Sequence, residues 1–231
     1  ENRGFIAAAV GVGVQLIDTA HLYAGGESER VIGTALGATT DGAVVATKGG
    51  YNAGEGQPGR LREQVEESFR RLRTETITLY YLHRVDPETP LSESLEVLKE
   101  YRDAGRIEHV GVSAVSVEQI ERAREVVPIA AVQNAYSLAD RADDDVVDLC
   151  DAERIVFVPY YPLRNIDVGR VERIAERYDA TPSQIALAWL LKRSPIVVPI
   201  PGTLSIDHLR ENLAALEIEL EDEDFERLAD S

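Results

Sequence analysis

The chain contains no methionine, one cysteine and one tryptophan among its 231 residues. A single thiol, Cys150, excludes an internal disulfide and fits a reducing compartment. It sits in DDDVVDLCDAE, beside apolar neighbours and with no basic group nearby in sequence to favour a thiolate, so a buried structural thiol is expected. Long apolar runs are also lacking. None approaches the ~18 residues of a membrane span, and no signal-peptide pattern is visible. These absences predict a cytoplasmic protein with no membrane partner. Cations are scarce too: Lys and Arg number 24 against 41 Asp and Glu, a net charge of −17. Such a surface repels phosphate backbones, which argues against nucleic acid as a partner. The acid excess itself reads as a solvated surface.

What is present is a repeated pattern. The length and 44% apolar content suit one large domain over 1–231 with a sizeable core. VQLIDTA (14–20), AVVATKGG (43–50), ITLYYLHRV (77–85), IEHVGVSA (107–114), IAAVQNAY (129–136), IVFVPYYP (155–162) and IVVPIPGT (196–203) read as strands by their β-branched and apolar content. A helical pattern follows each. Val31, Ile32, Ala35 and Leu36 share one face of the helix after the first strand, with Ser28 as its expected cap and Gly37 as its end. Leu61, Val65, Phe69 and Leu72 form a second stripe, and Leu91, Leu95 and Leu98 a third. Further helices are expected near 116–126, 143–152, 168–178 and 182–193, and in DHLRENLAALEI.

Repeated β-α units imply a parallel sheet with helices outside it. Eight units close a (β/α)8 TIM barrel, and seven is one short. The chain opens on what reads as a helix, FIAAAVGVGV, and lacks Met even at position 1. The expectation is that the first barrel strand precedes residue 1 and that these residues are not the whole gene product. A doubly wound open sheet is the alternative.

In such barrels function gathers where strands end and lead into helices. The first visible strand ends at Asp18, with Tyr23 in its loop; the second ends at Lys48 and the third at His83. Singly, each has an ordinary structural role open to it: a cap, a packed ring, a solvated ammonium, a hydrogen-bonding imidazole. Together they aim a carboxylate, a phenol, an ammonium and an imidazole at one rim. A phenol is a sluggish acid near neutrality, with a usual pKa near ~10. A neighbouring ammonium lowers that value. Asp18 would anchor Lys48 and keep it charged, and His83 could orient a carbonyl.

The segment IDTAHLYAGGESERVIG resembles the signature of the aldo-keto reductases. ATKGG, LHRVDP, DAGRIEHVGVS, VQNAYS, PYYPL and IPGTLSIDHLRENL match further family segments in family order, across essentially the whole chain. The resemblance implies a catalytic tetrad of Asp18, Tyr23, Lys48 and His83. It implies reduction of an aldehyde or ketone with NADPH, or NADH, as hydride source, since no side chain supplies a hydride. It places Ser113, Gln133 and Asn134 near the carboxamide and Tyr160 against the nicotinamide, with Tyr161 and Leu163 beside it. Thr203, Leu204, Ser205, His208, Glu211 and Asn212 match the segment that grips the adenosine.

Two departures stand out. Gly202 and His208 occupy positions that are basic in many members, which weakens the grip expected on a 2′-phosphate. Ala114 stands where the family's Gly-Val-Ser-Asn has Asn. Tyr51 and Arg84, each just past a tetrad strand, are candidate substrate contacts.

Two other functions fit less well. A non-catalytic relative that binds cofactor and acts as a redox sensor or regulatory subunit is the runner-up. A metal-dependent barrel hydrolase wants clustered ligands, whereas His21, His83, His109 and His208 are scattered. The substrate is expected to be a small carbonyl compound whose identity lies in loops, and the sequence leaves the oligomeric state open.

Overall fold

Strand and helix alternate through the first half of the chain, as its apolar runs predict. The computed structural model describes residues 2–37 and 42–230. It divides into two compact units, Glu1–Val132 and Gln133–Ser231.

The first unit begins with helix α1 (Asn2–Gly11), strand β1 (Leu16–Asp18) and helix α2 (Glu27–Leu36). Next come β2 (Val44–Gly49), α3 (Pro58–Leu72), β3 (Ile77–Leu82), α4 (Leu91–Asp103), β4 (Ile107–Ser113) and α5 (Val117–Val126). Strand β5 (Ile129–Gln133) ends at the division between the units. Strands β1 to β4 pair in parallel with their sequence neighbours, in registers such as Asp18 with Ala46 and Tyr81 with Gly111.

Side chains alternate across a strand with period two. Leu16, Val44, Ala46, Leu79, Tyr81 and Ala131 therefore meet in one cluster on one face. Gly111 lies within it because a Cβ there would come within 2.4 Å of the Tyr81 ring. Two residues further along the same face come Asp18 after Leu16, Lys48 after Ala46, His83 after Tyr81 and Ser113 after Gly111. The alternation that fills the core thus carries the polar groups to the strand ends. Thr47 and Tyr80, on the opposite face, turn toward the helices and are fully buried there.

The helices of this unit follow their apolar stripes. Leu61, Val65, Phe69 and Leu72 of α3 are buried, as are Leu95 and Leu98 of α4. Ser116 caps α5 in a reciprocal capping box with Gln119. Ser28, however, is not the cap of α2. Gly26 holds that position with φ of +87°, and the Ser28 hydroxyl instead meets the Thr19 hydroxyl at 2.7 Å. The chain makes a tight turn over Tyr23–Gly26 before α2, and that turn needs left-handed backbone, which glycine adopts without a steric penalty.

The second unit contains α6 (Asp144–Glu153), β6 (Val156–Phe157), α7 (Val168–Ala175), α8 (Pro182–Arg193), α9 (Ile206–Ala214) and α10 (Asp222–Ala229). The segment expected as a strand over 196–203 forms only an isolated bridge, Val197 with Phe157. Pro199 and Pro201 interrupt it, and proline cannot donate to a ladder. Strand β6 is short for the same reason, being followed closely by Pro159 and Pro162. Trp189 anchors this unit, stacked 5.4 Å from the Phe225 ring and 6.2 Å from the Tyr136 ring. Cys150 lies on the buried face of α6, and burial pushes its thiol up to about 12, as suits an inert packing group.

Candidate active site

Two backbone ladders, β1 with β2 and β2 with β3, continue past their strands and fix the loops at the strand ends. The His21 amide donates to the Lys48 carbonyl at 2.9 Å, and the His83 amide to the Gly49 carbonyl at 2.7 Å. The Arg84 amide donates to the Gly50 carbonyl at 3.2 Å. Asp18, Lys48 and His83 therefore leave their strands in register.

Lys48 is fully buried. Its Nζ donates to Asp18 Oδ2 at 2.5 Å and to the Thr19 carbonyl at 2.8 Å. Burying an ammonium is costly unless it is paired and hydrogen-bonded, and both conditions are met. Burial holds the Lys48 pKa below the usual lysine range, while the charge and hydrogen bond of Asp18 oppose that fall. The Tyr23 ring lies 5.0 Å from Lys48 Nζ, and Tyr23 remains 38% exposed, within reach of a ligand. The His83 ring stands edge-on to Tyr23, with centroids 5.9 Å apart.

Burial, with the positive charges of Lys48 and Arg84, lowers the His83 pKa to about 3. Its imidazole is neutral near pH 7. Its buried Nδ1 finds no hydrogen-bond partner among the described residues. Tyr51 packs against this imidazole at 4.8 Å, and the Arg84 guanidinium lies over the Tyr51 ring at 4.3 Å.

Sequence reasoning missed the residue that shapes the Tyr51 loop. Asp86 accepts hydrogen bonds from the amides of Gly54, Gly56 and Glu88 and from the Thr89 hydroxyl, all between 2.9 and 3.0 Å. Burial would raise its pKa, but these bonds outweigh burial and hold it below the usual range. The only sequence signal was an Asp beside Pro87, an ordinary turn pair.

The candidate cofactor residues divide between the units. Ser113 ends β4 in the first unit, buried. In the second, Gln133 and Asn134 are buried, and the Tyr160 amide donates to the Asn134 carbonyl at 3.0 Å. Asn134 Nδ2 donates to Asp143 Oδ2 at 2.9 Å. Tyr160 and Tyr161 stand edge to face at 5.1 Å, and Leu163 follows, half-buried. Ser205 caps α9 by accepting from the His208 amide, and its own amide donates to Thr203 Oγ1 at 3.0 Å. His208, Glu211 and Asn212 follow at helical spacings of three and four, on one face of α9. Glu211 also accepts from the Thr181 hydroxyl at 2.8 Å, a tie to the cap of α8 that the sequence did not signal.

Within the second unit, the exposed side chains and the start of α9 are of a kind suited to a dinucleotide. Leu204 and Tyr161 are 79% and 60% exposed, large apolar surfaces that a flat ligand would cover. The α9 N-terminus presents backbone amides suited to phosphate. Ala24, Ala114 and Tyr161, each with φ between +49° and +55°, directly follow Tyr23, Ser113 and Tyr160, whereas the left-handed Arg73, Arg154 and Asp179 end helices. Left-handed conformations in residues other than glycine concentrate at functional sites. Among the described residues no group of three or more His, Cys, Asp or Glu could hold a metal ion, and no helix is long and apolar enough to cross a membrane.

Comparison with known proteins shows the family. The model of the aldo/keto reductase family matches residues 1–165 and 167–231. The chain is 37% identical over 226 residues to an uncharacterized oxidoreductase of Schizosaccharomyces pombe, covering 93% of this chain and 74% of that protein. It is 35% identical over 231 residues to pyridoxine 4-dehydrogenase of Escherichia coli, covering 93% and 81%. The crystal structure of a thermostable aldo-keto reductase, Tm1743, in complex with the inhibitor epalrestat matches with a TM-score of 0.92 at 32% identity, covering 99% of this chain and 86% of that one. An aldo-keto reductase from Klebsiella pneumoniae in complex with NADPH matches with a TM-score of 0.87 at 28% identity, covering 98% and 84%. The chain belongs to the aldo/keto reductase family, and its fold class is the (β/α)8 barrel of that family.

Proposed function

We propose that Tyr23 delivers the proton in the NADPH-dependent reduction of aldehydes or ketones that this aldo-keto reductase carries out. The observation that carries the assignment is the buried Lys48, held at 2.5 Å by Asp18 and lying 5.0 Å from the Tyr23 ring. When bound, the nicotinamide supplies the hydride. The protein's own groups do the rest. The Lys48 ammonium stabilises the phenolate left on Tyr23 after proton transfer, which makes the phenol a stronger acid. Asp18 keeps that ammonium charged against the cost of burial. The neutral His83 imidazole donates a hydrogen bond to the carbonyl oxygen without adding charge. Tyr51 and Arg84 border this imidazole and contact the substrate.

Ser113, Gln133, Asn134, Tyr160, Tyr161 and Leu163 hold the nicotinamide end. Thr203, Leu204, Ser205, His208, Glu211 and Asn212 hold the adenosine end. The substrate is a small carbonyl compound, and the protein acts in the cytoplasm, a reading that the lone buried thiol supports.

The Tyr23→Phe variant tests the assignment. The expected result is a fall in kcat of about 10²–10⁴-fold across a panel of aldehydes, with NADPH still binding by fluorescence titration. Near-normal turnover would remove Tyr23 from its role. If the unaltered protein binds NADPH but turns over no carbonyl compound, a sensor or regulatory subunit is the better reading.

A further inference from the structure

Around the Tyr23 turn lies an ionic network, centred on a buried carboxylate, that the proposed chemistry does not use. Glu29 of α2 is fully buried. Its Oε1 accepts from the Thr47 hydroxyl at 2.7 Å and its Oε2 from Arg71 Nη1 at 3.2 Å. Arg71, near the end of α3, reaches back to the turn: Nη1 also donates to the His21 carbonyl at 3.0 Å. Its Nη2 donates to Glu67 Oε2 at 2.7 Å, and the same oxygen lies 2.7 Å from His21 Nε2. Gly26 closes the arrangement. A Cβ there would come within 2.4 Å of the Arg71 guanidinium, so the turn rests directly on it.

The placement is specific. Arg71 holds the chain at His21, two residues before Tyr23, and at Gly26, three residues after it. Thr47, which holds Glu29, is the neighbour of Lys48 on β2, and the alternation of the strand sends their side chains to opposite faces. One network therefore ties the segment that carries the phenol to the strand that carries the ammonium. The turn between the anchors contains Ala24 at φ +49°, a left-handed conformation that in a residue other than glycine needs outside support.

We propose that Arg71, with Glu29 and Glu67, is a positioning device that sets the distance between the Tyr23 phenol and the Lys48 ammonium. The guanidinium's planar fork makes three of these bonds at once. A lysine keeps the charge but cannot reproduce the fork. Loss of the clamp lets the phenol drift from Lys48, and an offset of about 1 Å at a catalytic group costs on the order of 10²-fold in rate.

The inference rests on Tyr23 as the acid, so the unaltered protein and Tyr23→Phe are assayed first. Retained turnover in Tyr23→Phe sinks that assignment and leaves the clamp without a purpose, an outcome distinct from those that follow. The test proper uses Arg71→Lys and Glu67→Gln. The second change is on a partly exposed side chain and keeps the protein folded if the first does not. For each, kcat, KM, NADPH affinity, melting temperature and the pH profile of kcat are measured.

Reduction needs a protonated phenol, so activity falls as pH rises through the Tyr23 pKa. The expected result for Arg71→Lys is a kcat loss of about 10–100-fold, with NADPH affinity within twofold and the alkaline limb moved upward. Glu67→Gln shifts the limb in the same direction by less. A purely structural role lowers the melting temperature and the folded fraction but leaves the limb in place. Folded variants with normal kcat and an unmoved limb, or losses that match the folded fraction alone, overturn the proposal.

Discussion

At the scale of single residues, the site is built from groups whose charge is set by neighbours and burial rather than by water. Lys48 is an ammonium without solvent, held by one carboxylate and one carbonyl. His83 is an imidazole that stays neutral because burial and two neighbouring cations oppose its protonation. Ala114 is held at φ +54° directly after Ser113. Alanine pays for that left-handed backbone, which asparagine and glycine tolerate better. Replacing Ala114 by Gly is expected to stabilise the protein by about 1 kcal/mol, read as a rise in the urea midpoint at constant slope. A fall in the midpoint would show that the strain attributed to this position is absent.

At the scale of elements, the sequence disclosed much of the frame and little of its fastening. The strands carrying Asp18, Lys48 and His83 were legible because apolar residues alternate with the polar ones that follow them. The α3 stripe was legible because its period is helical. The segment 196–203 misled because its apolar content outweighed two prolines in the reading, whereas in the structure the prolines prevail. The Glu29–Arg71 pairing was illegible. Its partners are 42 residues apart, and an acidic residue in the first turn of a helix ordinarily serves the helix dipole in solvent. Ser28 was misread for a related reason, because a serine at a helix start resembles a cap even where a glycine turn has taken that position.

The buried bond from Thr47 to Glu29 supplies a test at this scale. Thr47→Val keeps the shape of the side chain and removes the donor, leaving a fully buried carboxylate oxygen less satisfied. The expected cost is about 1–3 kcal/mol in urea unfolding. An unchanged midpoint would mean that Glu29 is satisfied without Thr47.

At the scale of the whole molecule, a protein with a net charge of −17 must bind a polyanionic dinucleotide. Its general field opposes that association, so specific donors must dominate locally. The α9 N-terminus provides backbone amides, but His208 and Gly202 bring no fixed cation to it. His208→Arg is therefore expected to favour NADPH over NADH by about tenfold relative to the unaltered protein, a gain of ~1.4 kcal/mol. The ratio of dissociation constants for the two cofactors measures it. An unchanged ratio would place the 2′-phosphate away from His208. The family segments in their order suggested this end of the site from sequence, whereas the tie from Glu211 to Thr181 emerged only with the fold.

The most direct measurement is a titration of the Tyr23 phenol itself, by carbon NMR of protein labelled at the tyrosine ring carbon that bears oxygen. Tyr23→Phe assigns its signal among the 9 tyrosines. With Lys48 in place, the account predicts a midpoint clearly below the ordinary ~10 of a phenol, returning to that value or above it in Lys48→Met. An identical midpoint in the two proteins would contradict it.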